Sequence, residues 1–197
     1  LFHIGPNGGR IRAVDDAPGA SVSFTCDIPV VVATNTVTSG LLDIDHSGYI
    51  GFSEPMGLNG PVRISDGTYA LRNAALDSVT RSATGTGELT LRNATLTESE
   101  TGMSVDAAVP GGLAFEGGAL VNFGSSSNSL AVSSLRRVGP GSAMLVYTSK
   151  SALPFGEETG PKMTVAEGLV NDPDSGALAL PVYLSTGDSQ RYVEFAK

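Results

Sequence analysis

The sequence predicts an all-β protein, a parallel β-helix or solenoid of stacked coils that ends in a C-terminal β-hairpin or cap, with an antiparallel β-sandwich as the competing arrangement. Three observations carry this expectation. First, 25 glycines and 11 prolines, with clusters of Ser, Thr and Asn, interrupt nearly every stretch before an amphipathic helix of about 10 residues could form. Second, the apolar residues come in short alternating runs bounded by Gly, Pro, Asn, Asp or Ser, which is how half-buried strands and their turns look in sequence. Third, the chain repeats itself. A unit of about 20–30 residues with two or three short strands cannot close its own core, so it must stack on copies of itself.

In chain order, the alternating runs fall at Gly9–Val14, Ala20–Cys26, Pro29–Ala33, Gly40–Ile44, Tyr49–Phe52, Val62–Ile64, Tyr69–Leu71 and Glu88–Leu91. They continue at Leu113–Phe115, Leu120–Phe123, Leu130–Val132, Ala143–Tyr147, Lys162–Val165, Ala177–Leu184 and Tyr192–Phe195. The closest internal match is Ala70-Leu71-Arg72-Asn73-Ala74-Ala75-Leu76, which recurs 20 residues later as Thr90-Leu91-Arg92-Asn93-Ala94-Thr95-Leu96. Glycines followed by alternating apolar residues begin at Gly40, Gly67, Gly87, Gly118 and Gly141, which reads as coil lengths of 27, 20, 31 and 23 residues. Asn73 and Asn93 then fall at matching places just after a strand. Asparagine tolerates the left-handed conformation there and stacks as a ladder at a corner.

The chain divides into a repeat region over residues 1–150 and a C-terminal cap, or the start of a following module, over 151–197. In the second part Asn171-Asp172-Pro173-Asp174-Ser175-Gly176 supplies both the fixed φ of proline and the positive φ of glycine that a reversal needs. A terminal hairpin there would hide the last edge of the stack from open-ended pairing.

Charge and composition narrow the function classes. Twelve basic against 20 acidic residues give a net charge of −8, which opposes the counterion release that drives nucleic-acid binding. Anionic membrane surfaces are disfavoured for the same reason, and no apolar run reaches the ~20 residues needed for a spanning helix. Neither nucleic acid nor direct membrane insertion is therefore expected. The single cysteine, Cys26, excludes an internal disulfide framework and reads as a small buried hydrophobe in a strand. Leu1 begins the chain without a basic and apolar leader, so a fragment of a longer polypeptide is expected, its signal peptide removed or far upstream.

Phe2-His3-Ile4-Gly5-Pro6-Asn7-Gly8-Gly9, Gly48-Tyr49-Ile50-Gly51-Phe52, the stretch from Asn59 to Leu71, and Thr86-Gly87-Glu88-Leu89-Thr90-Leu91 resemble autotransporter-associated β-strand repeats. The shared features are the N-G-x-x-x-I-x-x-G-T-x-x-L rhythm and glycine-delimited Leu-Thr-Leu strands. Leu135 to Val146 is similar to the ends of such arrays in large bacterial passenger proteins. The resemblance implies a right-handed parallel β-helix, extracellular and displayed at the bacterial cell surface, often without an enzymatic activity of its own. Its partners would be other segments or copies of the same surface protein, glycans or a host surface. Residues 78–86 and 98–111 depart from the pattern as longer excursions, and residues 1–197 themselves hold no segment that reads as the family's membrane β-barrel.

Several constellations carry chemistry on paper. Asp43, Asp45, Ser47 and Glu54 stand at positions 1, 3, 5 and 12 of an EF-hand-like calcium loop, with Gly48 at position 6. Poor helix formers flank it, and two strands joined by an Asp-His-Ser-Gly turn explain the same residues. No other cofactor is suggested. His3 and His46 lack a nucleophile or metal-site context and read as surface or turn residues. The competing function is a carbohydrate-active β-helix enzyme, a polysaccharide lyase or hydrolase, or a glycan-binding module. Its acid and base would come from Asp15-Asp16, Asp43 with Asp45, or Glu157-Glu158. Asp43 and Asp45 share a strand face, but no Trp and only five Tyr leave few platforms for sugar rings. Arg136-Arg137 reads as a solvated basic edge, and Asn93-Ala94-Thr95 fits a glycosylation pattern that a bacterial origin would leave unmodified.

Overall fold

The computed structural model describes residues 2–13, 23–26, 30–32, 40–46, 48–52, 56–71, 82, 84–97, 106–124, 128–149, 160–167, 179–186 and 193–195. All their regular structure is β, in a parallel sheet curled into a half-barrel around an aliphatic core. The strands are β1 (Phe2–Ile4), β2 (Gly9–Ala13), β3 (Ser23–Cys26), β4 (Val30–Val32), β5 (Leu42–His46), β6 (Tyr49–Phe52), β7 (Val62–Ser65) and β8 (Thr68–Ala70). After them come β9 (Leu89–Arg92), β10 (Thr95–Thr97), β11 (Ala107–Val109), β12 (Leu113–Asn122), β13 (Ser129–Thr148), β14 (Lys162–Glu167), β15 (Val182–Thr186) and β16 (Val193–Phe195).

From β1 to β11 no strand pairs with the next one in sequence. They pair with the strand one coil away, and three ladders result. The first runs β2, β5, β7, β9, the first half of β12 and the middle of β13. A second runs β3, β6, β8, β10, the second half of β12, the end of β13 and β15. The third holds β1 with β4, and β11 with the start of β13 and β14. The pairings hold their register apart from one shift between β12 and β13, after Glu116 and Val138, so inward side chains form columns. Ile11, Ile44, Ile64, Leu91 and Phe115 stand one above another in the first ladder, and Ile50, Tyr69, Leu96, Val121 and Val146 in the second. All of these are buried except Ile11, which packs partly buried against the core. Each fully buried Leu or Ile contributes about 1.5–3 kcal/mol over its exposed state, and these columns are the main stabilising term.

The corners keep the ladder intact. Val62 N donates to Glu88 O, Leu89 N to Gly112 O, and Asn93 N to Glu116 O, so the backbone stays satisfied where the direction changes. Glycines line the corner before the first ladder because the coils approach too closely for a side chain. A Cβ on Gly87 would run into the carbonyl of Gly60, and one on Gly111 would meet Gly87 itself.

The true register differs from the one the internal match suggests. Val62 lies opposite Leu89 and Thr68 opposite Thr95, an offset of 27 positions, so Leu91 stacks on Ile64 and not on Leu71. Burial selects this offset, since it aligns the inward aliphatic residues of β7 and β9, whereas the seven-residue match would set Leu91 of the first ladder against Leu71, which follows β8 of the second. The glycine spacings mixed two corners: Gly40 and Gly87 precede the first ladder, while Gly67, Gly118 and Gly141 precede the second.

An antiparallel sandwich does not form. Parallel pairing continues beyond residue 150 through β14 and β15, and the one antiparallel pair among the described residues is β15 with β16. The reversal thus follows Thr186, and the Asn171–Gly176 turn lies outside the described residues within the connection between two parallel strands.

Candidate functional site

The outer face of the first ladder carries the densest polar chemistry described. Strand alternation turns Leu42, Ile44 and His46 inward, so Asp43 and Asp45 of β5 point out together. Arg10 and Arg12 of β2 lie level with them on one side, and Arg63 and Ser65 of β7 on the other. Arg63 grips Asp43 in a two-pronged contact, Nε to Oδ1 at 3.0 Å and Nη2 to Oδ2 at 2.8 Å. The Ser65 hydroxyl donates to Oδ1 at 3.5 Å, and Arg10 Nε stands 3.7 Å from Oδ2. Asp45 receives Arg10 Nη2 directly and has Arg12 Nε at 3.6 Å.

The electrostatics follow from this packing. The Arg63 hydrogen bonds, with the positive charges of Arg63 and Arg10, hold the Asp43 carboxyl below the usual aspartate value against the opposing effect of burial. Arg63 is raised in turn, chiefly by the same bond. The pattern repeats higher in the stack: Arg136 reaches Glu88 at 2.6 and 3.0 Å, which raises its own value, and Arg92 stands 3.7 Å from Glu116.

A carboxylate held ionised by two arginines is a poor proton donor, so Asp43 does not offer the raised-pKa acid that glycoside cleavage needs. The same arginines occupy the oxygens a calcium ion would take. Residues 42–46 and 49–52 form two strands with a short connection between them, while Ser47 and Glu54 lie outside the described residues. Among the described residues no group of three or more His, Cys, Asp or Glu side chains is placed to hold a metal.

The remaining singled-out residues are scattered. His46 is buried, not a surface residue; its Nδ1 accepts the Gly48 N–H at 2.6 Å, and its Nε2 meets no protein partner among the described residues. That corner bond fixes the turn into the second ladder. Asn93 adopts φ of 47°, and its Oδ1 accepts from Gly118 N at 3.1 Å one coil on. Asp66, with φ of 60°, is its counterpart one coil earlier. Asn73, Asp15, Asp16, Glu157 and Glu158 lie outside the described residues, as do the side chains of His3 and Cys26. Arg136 is engaged by Glu88, and Arg137 is exposed.

The arginine partners escaped the sequence reading. Their signal was present as Arg-x-Arg, Asp-x-Asp and Arg-x-Ser in three successive strands, but it is legible only once the register is known. Comparison with protein-family models, curated proteins and solved structures returned no match to this chain.

Proposed function

We propose that the chain is a non-catalytic structural or adhesive repeat module of a large exported bacterial cell-surface protein, folded as a right-handed parallel β-helix. The observation that carries this reading is the in-register stacking of successive coils, with one aliphatic column per ladder and parallel pairing throughout until β16. Crossovers between parallel strands are right-handed in nearly all known cases, which favours that hand. A stack of this kind extends by adding coils, and extension is what a projecting scaffold needs. Asp43, Asp45, Glu88 and Glu116 on the outer face are tied to arginines, which suits a load-bearing exterior better than a reaction centre. The partners are other segments or copies of the same surface protein, with glycans or a host surface against the exposed side.

Antibodies to the purified chain, applied to intact and to lysed cells of the source organism, test the reading. Labelling of intact cells, lost after brief external proteolysis, is the expected result. Labelling only after lysis would refute it, and release of reducing or unsaturated sugar ends from acidic polysaccharides would restore the enzyme reading.

A further inference from the structure

The second ladder is finished differently at its two ends. At the C-terminal end its β15 is covered by the antiparallel β16, while the middle of β13 and β14 are paired along one edge only among the described residues. At the other end of the stack β1, β2 and β3 are each paired along one edge only among the described residues. Gly9 N donates to Leu41 O, so Gly9, Ile11 and Ala13 turn their peptide groups toward β5. The N–H and C=O of Arg10 and Arg12 therefore point to the open side. Their side chains share the asymmetry: Arg63, enclosed within the stack, is 28% exposed, whereas Arg10 and Arg12 are 55% and 60% exposed. Asp43 lies between arginines of two coils, but Arg10 and Arg12 have acidic partners on one side only.

We propose that the open edge of β2 receives an added β-strand carrying carboxylates at alternate positions, one opposite Arg10 and one opposite Arg12. The chain supplies the template, because β5 already meets β2 in this way with Asp43 and Asp45. A strand about 4.8 Å beyond β2 would meet both peptide groups, which have no partner strand among the described residues, and both half-solvated guanidinium groups. The same charges disfavour a second copy of this edge as the occupant, since an antiparallel contact of β2 with itself sets arginine against arginine. This inference depends on the edge and its charges and is independent of the exported role.

The test uses the whole chain and a fluorescent peptide of residues 41–47, compared with the same peptide carrying Asp43→Asn and Asp45→Asn, or Asp43→Lys and Asp45→Lys. At low ionic strength the aspartate peptide should bind about tenfold more tightly than the asparagine peptide, from two partly exposed ion pairs. The lysine peptide should not bind, and salt should erase the preference. Hydrogen exchange on the wild-type chain should show new protection at the Arg10 and Arg12 amides. Arg10→Gln with Arg12→Gln should level the aspartate and asparagine peptides. Equal binding of all three peptides, protection elsewhere than β2, or no binding at all would overturn the proposal; these readouts on the wild-type chain decide it even where the double variant fails to fold.

Discussion

Replacing Leu91 by alanine tests the packing most severely. Leu91 is fully buried at the centre of its column, between Ile64 below and Phe115 above. Trimming its isobutyl side chain to a methyl loses the transfer free energy of the missing carbons and leaves a cavity. The ladder cannot collapse to fill that cavity, because backbone pairing on both sides fixes the spacing between coils. Such substitutions cost about 3–4 kcal/mol. For a domain of this size each kcal/mol lowers Tm by roughly 2–4 °C, so a fall of about 6–16 °C is expected. Thr90, the adjacent residue, points outward, and Thr90→Ala should cost no more than about 1 kcal/mol. Urea titration followed by circular dichroism, run on both variants and the parent, reads the contrast directly. Equal losses at 90 and 91, or a larger loss at 90, would refute the inward and outward alternation.

Other outcomes follow from particular contacts. Gly87→Ala should destabilise the chain strongly, because the new methyl meets the Gly60 carbonyl, while Gly118→Ala, with open space around it, should shift Tm little. Asn93→Ala should cost about 1–2 kcal/mol from the left-handed backbone and the lost bond to Gly118, and Asn93→Gly should recover part of it in thermal melts. Asp43 has a lowered folded value, so its stabilising effect is complete above the ordinary aspartate value of 3.8 and fades as pH falls through the lowered one. Asp43→Asn should therefore cost about 1 kcal/mol near neutrality and flatten acid unfolding curves in that window.

Much of the strand pattern was legible because period-2 alternation survives in short segments. Tyr49–Phe52 matches its strand to the residue, and most others agree within two positions. Three strands went unread. Phe2–Ile4, Thr95–Thr97 and Ala107–Val109 are three residues each, and His3, the two threonines and the two alanines give them little apolar contrast. Ser129–Thr148 was read as separate pieces, because Gly139-Pro140-Gly141 has the composition of a break. In fact Gly139 and Gly141 take φ of 75° and 82° and bend one strand from the first ladder into the second. Register was the least legible feature. It depends on which apolar sets coincide in space, and the most conspicuous local identity, Leu-Arg-Asn-Ala, gave the wrong offset. The arginine and aspartate ladder was hidden with it, since Arg63 and Asp43 come together only through that alignment.

Disulfide trapping measures this register most directly. In a Cys26→Ala background, Thr68→Cys with Thr95→Cys should close under mild oxidation, because those residues face each other on adjacent strands. Thr68→Cys with Leu120→Cys, two strands apart, should stay reduced. Preferential closure of Ala75→Cys with Thr95→Cys, the 20-residue alignment, would contradict the stacking on which the account depends.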